Sequence, residues 1–239
     1  ALEEVGGWSE WCICEDTELG LRLIEKGYDT RYVDHILGRG LTPSGFAAIK
    51  SQRFRWAFGA MQILKAHLPQ MIGRSNLNLA QRYHFLTGWF AWLGDALQLV
   101  FAFGSLIWTL GILLFPKAFG LPVTALALPI LGFMAFKAAL GPILYRRTMD
   151  CPWQDILGAS ILSVGLAHAI ARGVFAGLVK KKGVFVVTPK GWHSGGALAF
   201  FSPIREEVGM LIALLMGAIT LVAQRGADNL ETQLWVGIL

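Results

Sequence analysis

The strongest constraint on how this chain can fold is the stretch at residues 96–115, twenty residues in which Gln98 is the one strongly polar member. As an α-helix, a run of that length crosses about 30 Å of hydrocarbon at 1.5 Å per residue. Further apolar runs occupy residues 121–144, 155–179 and 207–223, and another opens at 233. With 54% of its 239 residues hydrophobic and 15% charged, the chain is too apolar for a soluble domain of its size. It reads as an integral membrane protein.

The flanks of these runs set the expected topology. Trp89 and Trp92 suit the headgroup level, so residues 79–90 read either as an interfacial helix or as the cytosolic start of the first span. Asp95 then falls near the boundary, because a carboxylate at the helix centre costs about 2.5–3.5 kcal/mol on insertion scales. Residues 116–121 form a short outer turn carrying Lys117, and residues 121–144 return to Arg146-Arg147; Lys137, within that span, suits snorkelling. Residues 155–179 are long enough to cross, but Arg146-Arg147 precedes them and Lys180-Lys181-Lys182 follows. Basic clusters at both ends favour a helix lying in the cytosolic interface or re-entering it, with His168 and Arg172 on one face in a structural or headgroup role. Residues 180–203 become a cytosolic loop, residues 224–231 an outer turn, and residue 233 the start of a truncated span. The chain begins without Met and ends inside an apolar run, which reads as a fragment.

The net charge of +5 does not point to nucleic acid, because the basic residues flank apolar runs instead of forming a stripe interleaved with exposed aromatics. Cys12, Cys14 and Cys151 are an odd number with no second Cys or His pair at ligand spacing, so no metal site is expected among them.

Residues 1–82 have the composition of soluble α/β material: helical periodicity from Glu15 to Lys26, a stop at Gly27, and a short strand over residues 28–33. Asp16 sits near the helix start, where the dipole alone favours an acid. Beyond Pro43 a second helix places Gln52, Arg55, Trp56 and Gly59 on one stripe, with Ala47, Phe54, Phe58 and Met61 roughly opposite. An amide, a guanidinium, an indole and a glycine gap suit an anionic leaving group beside a sugar ring, although Arg55 and Trp56 alone would equally serve as interfacial anchors.

Three stretches in order, Cys14-Glu15-Asp16, Gln52-Arg53-Phe54-Arg55-Trp56 and Phe185-Val186-Val187-Thr188-Pro189-Lys190, resemble signatures of the processive family 2 glycosyltransferases, the cellulose synthase-like bacterial β-glucan synthases. The resemblance covers residues 3–205 and implies the C-terminal part of an α/β nucleotide-sugar glycosyltransferase domain (residues 1–82), then interfacial and transmembrane α-helices (residues 83–239). It further implies Asp16 as the general base, and Glu15, Gln52, Arg55 and Trp56 at the donor and acceptor, with Trp56 as a platform under the terminal sugar. Phe185, Thr188 and Lys190 would belong to a gating loop able to swing onto phosphates. The family has Thr where Cys14 stands, which puts that hydroxyl's supporting contacts in question.

The activity so implied is that of a membrane-embedded, processive, inverting hexosyltransferase. It would polymerise a UDP-sugar, UDP-glucose first, into a β-linked polysaccharide and feed it to a transmembrane channel. Its divalent ion, Mg2+ or Mn2+, would be held upstream of residue 1, so this stretch alone is expected to be inactive. Expected partners are the UDP-sugar, the growing chain, the bilayer and accessory export proteins, at a bacterial inner membrane with the catalytic side cytosolic. Alternatives are a non-processive family 2 enzyme acting on a lipid acceptor, and a transporter or channel without chemistry.

Overall fold

A computed structural model describes residues 1–43, 45–121, 124–180, 182–183 and 202–239. The helices are α1 (Glu15–Glu25), α2 (Phe46–Ile72), α3 (Leu79–Leu114), α4 (Thr124–Thr148), α5 (Trp153–Val179), α6 (Arg205–Arg225) and α7 (Leu230–Ile238), with 3-10 turns at Glu3–Val5 and Ser202–Ile204. The chain divides into one unit of residues 1–97 with 166–196 and a second of residues 98–165 with 197–239.

Among the described residues there is no strand, which corrects the expectation for residues 28–33. That segment is irregular, with Tyr32, Val33, Ile36 and Leu37 all exposed. A strand exists only where its backbone N–H and C=O groups meet a partner, and among the described residues none pairs with this segment.

α1 follows the sequence expectation to within a residue: it starts with Glu15, Asp16 and Glu18 in its first turn and stops before Gly27, whose φ of +90° is natural to glycine. Glu18 is 1% exposed. Its carboxylate takes both Arg22 Nε contacts at 2.9 Å and the Arg22 Nη2 contact at 2.8 Å, and lies 3.2 Å from His67 Nε2 on α2. Arg22 also donates to the carbonyls of Val5 and Gly7 and to Ser9 Oγ, which ties the N-terminal segment to α1.

α3 is one continuous helix, so residues 79–90 are continuous with the first candidate span. A reciprocal capping box opens it: Gln81 N donates to Asn78 Oδ1 and Asn78 N to Gln81 Oε1, both at 2.9 Å. Trp89 is buried beside Phe85 and does not face outward as a headgroup residue would. Arg82 fills the turn from α2 to α3. Its guanidinium donates to the carbonyls of Met71 (3.1 Å), Gly73 (2.8 Å) and Leu77 (3.0 Å) and to Ser75 Oγ (3.1 Å). Gly73 is required there, since a Cβ would meet the Pro69 carbonyl oxygen at 2.8 Å.

Four helices are long and apolar enough to cross a membrane: Leu79–Leu114, Leu126–Thr148, Trp153–Val179 and Ser202–Arg225. In the second unit Ile112, Ala127, Leu221, Trp235 and Ile238 form the core, and Trp235 Nε1 donates to Thr109 Oγ1 at 2.9 Å. Lys137 Nζ donates to Gln98 Oε1 at 2.7 Å, a pairing between α4 and α3 that snorkelling alone did not anticipate. The C-terminal half of α5 belongs to the first unit, where Ala169, Ile170, Ala171 and Val174 are buried.

Candidate functional site

From Ala57 to Leu64 every residue of α2 is buried, although the sequence pattern had suggested one apolar face. Two neighbours cover it from two sides. Residues 11–14 lie along the stripe of Arg55, Gly59 and Gln62, and α5 lies along Phe54, Ala57, Phe58 and Met61, about a third of a turn round the helix.

The first contact joins two of the three motif stretches. Gln62, 3% exposed, accepts from Ile13 N at 3.2 Å and donates to Trp11 O at 3.1 Å, so its side-chain amide stands in for a paired strand. Cys14 Sγ lies 3.9 Å from the carbonyl oxygens of both Arg55 and Trp56, and Cys12 Sγ 4.0 Å from that of Gly59. Burial pushes the Cys14 thiol up to about 12 and the Cys12 thiol up to about 11, and the carboxylates of Glu15 and Asp16 act in the same direction. Both therefore remain protonated as weak S–H donors to the backbone.

Gly59 is not the open gap its stripe suggested. A Cβ there would lie 2.4 Å from Cys14 Sγ and 2.9 Å from Cys14 Cβ, so the sulfur occupies the space that glycine leaves. Gly59→Ala is expected to destabilise the protein by about 1–3 kcal/mol through overpacking. The double variant with Cys14→Ala is expected to recover part of that loss in thermal denaturation, since the sulfur goes but the Cys14 Cβ at 2.9 Å stays. A loss in the double variant equal to the sum of the two single losses would show that the residues do not share this volume.

The second contact brings α5 unusually close. A Cβ on Gly173 would meet Phe54 O at 2.5 Å, and one on Gly177 would meet Phe58 O at 2.6 Å, so the two glycines let the helix backbones touch. Lys65 Nζ, on α2, donates to the carbonyls of Leu178 at 3.0 Å and Lys180 at 3.1 Å and so caps the end of α5. Gly183 then packs against Ile13 and Phe58. The chain entering the third motif is thus held beside the first two. Phe185, Thr188 and Lys190 themselves lie outside the described residues.

Asp16 is exposed on the first turn of α1, with Oδ1 accepting from Thr17 N at 2.7 Å and Thr17 Oγ1 at 3.3 Å. Glu15, Gln52 and Arg55 are half-buried, and Trp56 is 40% exposed with the Arg53 guanidinium carbon 4.8 Å from its ring centroid. Sequence reasoning passed over Gln62 and Arg53. A Gln inside the apolar run 57–64 is itself a signal of a satisfied buried amide, whereas nothing in the pattern distinguished Arg53 from a solvated base. Among the described residues no group of three His, Cys, Asp or Glu is placed to hold a metal ion; the divalent ion that the resemblance implies is expected to be held outside this stretch.

Comparison with known proteins gives the family. A family model described as glycosyl transferase family group 2 matches residues 1–138. The cellulose synthase 1 catalytic subunit [UDP-forming] of Komagataeibacter xylinus is 27% identical over 229 residues, covering 94% of this chain and 29% of that protein. Glucomannan 4-beta-mannosyltransferase 7 of Arabidopsis thaliana is 31% identical over 90 residues, 38% of this chain and 16% of that protein. The cellulose synthase catalytic subunit [UDP-forming] of Xanthomonas axonopodis pv. citri is 38% identical over 86 residues, 36% of this chain and 12% of that protein. The chain thus spans less than a third of the length of these curated relatives. The family match runs through both the Cys14–Asp16 turn and the Gln52–Trp56 helix that packs on it, and with it this chain belongs to family group 2 of the glycosyl transferases.

Proposed function

We propose that the protein is part of a membrane-embedded, processive, inverting hexosyltransferase that transfers glucose from UDP-glucose to the end of a β-linked polysaccharide and passes the product to a transmembrane channel. In this reading the acceptor hydroxyl attacks the anomeric carbon and the Asp16 carboxylate takes its proton. The bond to the diphosphate breaks, and Arg55 stabilises the charge on the leaving group. Glu15 and Gln52 bind beside the reacting sugars, and Trp56 offers its ring face to the terminal sugar of the acceptor. Phe185, Thr188 and Lys190 close over the diphosphate and exclude water.

The observation that carries the reading is the anchoring of Leu178, Lys180 and Gly183 on α2 and Ile13, through the Lys65 cap and the Gly183 contact. It supports an interfacial α5, because the end of that helix is bound to one that carries Gln52, Arg53, Arg55 and Lys65 and is not itself apolar enough to span. In the same reading residues 1–82 are the C-terminal part of an α/β nucleotide-sugar glycosyltransferase domain. The membrane is a bacterial inner membrane with the site on its cytosolic side, and accessory proteins export the product.

Two relatives bear the name cellulose synthase and a third is named a glucomannan 4-beta-mannosyltransferase, which favours a nucleotide-activated mannose as the second donor to test. The natively expressed membrane protein is expected to build radiolabel from UDP-glucose into high-molecular-weight material, and linkage analysis identifies the polymer. Incorporation from the mannose donor alone would replace the donor. Single cysteines at Lys117 and Lys190, in a background with Cys12, Cys14 and Cys151 replaced, test the topology. An impermeant thiol reagent applied outside is expected to label position 117 and spare 190, and labelling at 190 would refute a cytosolic gating loop.

A further inference from the structure

Arg53 was the member of the Gln52–Trp56 stretch to which sequence reasoning gave no role. In the structure its guanidinium carbon stands 4.8 Å from the centroid of the Trp56 ring, three residues on and therefore on the neighbouring position of the same helix face. Arg53 Nε is buried and meets no hydrogen-bond partner among the described residues, where the indole, and not a carbonyl or carboxylate, compensates this desolvated side of the cation. Trp56 keeps 40% of its surface exposed.

An indole exposed on a helix offers two faces to a sugar and can turn about its own side-chain bonds to offer either. A guanidinium held on one face removes both freedoms. The covered face cannot stack on a pyranose ring, and the indole is fixed by the contact that covers it. We infer that Arg53 is a positioning residue that makes the Trp56 platform one-sided, so that the terminal sugar of the acceptor stacks in a single orientation with its hydroxyl turned toward the reacting centre. The inference rests on the reading of Trp56 as the acceptor platform and adds to it the group that sets which face is used.

Two measurements on the natively expressed protein test this. The first reads the contact itself. In protein labelled with 5-fluorotryptophan, one 19F resonance of the nine tryptophans is assigned to Trp56 by its loss in Trp56→Phe, and Arg53→Gln is expected to shift it. An unmoved resonance would mean that the guanidinium does not lie on the ring in solution, and the inference would fall.

The second reads the role, using cellotetraose as acceptor probe and UDP-glucose as donor. Arg53→Gln is expected to weaken cellotetraose binding about two- to thirty-fold, the range of a cation–π contact from exposed to desolvated, while the donor KM stays within about twofold. Arg53→Lys, which keeps the charge without the planar stack, should recover part of the loss. Binding that falls with Trp56→Ala but ignores Arg53→Gln overturns the inference and leaves the platform standing. Binding that ignores both variants overturns the platform, and the inference with it. A raised donor KM with unchanged cellotetraose binding would place Arg53 at the diphosphate and equally defeat the proposal.

Discussion

Asp16→Asn is expected to lower polymer synthesis by at least 100-fold while leaving nucleotide binding within a few-fold of wild type. The change is nearly isosteric, and an amide oxygen can still accept from Thr17 N and Thr17 Oγ1 as Oδ1 does now. What it removes is a carboxylate able to take a proton. The structural cost is the loss of one negative charge from the first turn of α1, about 0.3–1 kcal/mol, with Glu15 and Glu18 still in that turn. A general base contributes about 10²–10⁴ in rate, so the chemical effect exceeds the structural one by a wide margin. Polymer yield from the purified variant, read beside its UDP affinity and melting temperature, separates the two. Synthesis above a few per cent of wild type in a fully folded variant would remove Asp16 from the role of base.

The largest effect on stability is expected at Glu18. Replacing it by Ala leaves the Arg22 guanidinium without its carboxylate and His67 Nε2 without its partner, both inside the packing of α1 on α2. Breaking one side of a buried ion pair costs about 3–5 kcal/mol, a large fraction of the net stability of a domain. The pH dependence carries a definite sign. Burial works to raise the Glu18 carboxyl, but hydrogen bonds from Ser9, Arg22 and His67 and the charge of Arg22 outweigh it and hold the group below its ordinary value of 4.5. A depressed carboxyl contributes stability that is fully present above pH 4.5 and is lost as the pH falls through the lower folded value. Unfolding curves of the protein and of Glu18→Gln should therefore stay separated from neutral pH down to about 4.5 and converge below it. A gap that closes well above that pH would mean that another group governs the network.

These residues also mark where sequence reasoning reached its limit. The start of α1 at Glu15, its stop before Gly27, and the long apolar helices are local facts of periodicity, capping and length, and all could be read from neighbours in the chain. The pairing of Glu18 with His67 and of Ile13 with Gln62 joins positions 49 residues apart, and no local pattern states it. Gly59 shows the same limit differently. Its place on the stripe was right, but whether the space beside it is open or filled by Cys14 depends on a segment far away in sequence. The strand expected at residues 28–33 failed because pairing, and not β-propensity, makes a strand. The tryptophans near residue 90 suggested a membrane boundary, and α3 runs through them without a break.

The turn filled by Arg82 has a mechanical meaning. A connector serves as a hinge when its backbone can absorb rotation, and here the carbonyls of Met71, Gly73 and Leu77 are all tied to one guanidinium. The joint transmits tilt in place of absorbing it. From Ile72 back to Trp56 the helix is a lever arm of about 24 Å, so a rotation of about 5° at the clamp displaces the indole by about 2 Å. On the reading of Trp56 as the acceptor platform, misplacement by about 1 Å is enough to slow the positioned reaction by about 100-fold, so the inclination of the first turns of α3 and the registration of that indole are one mechanical variable.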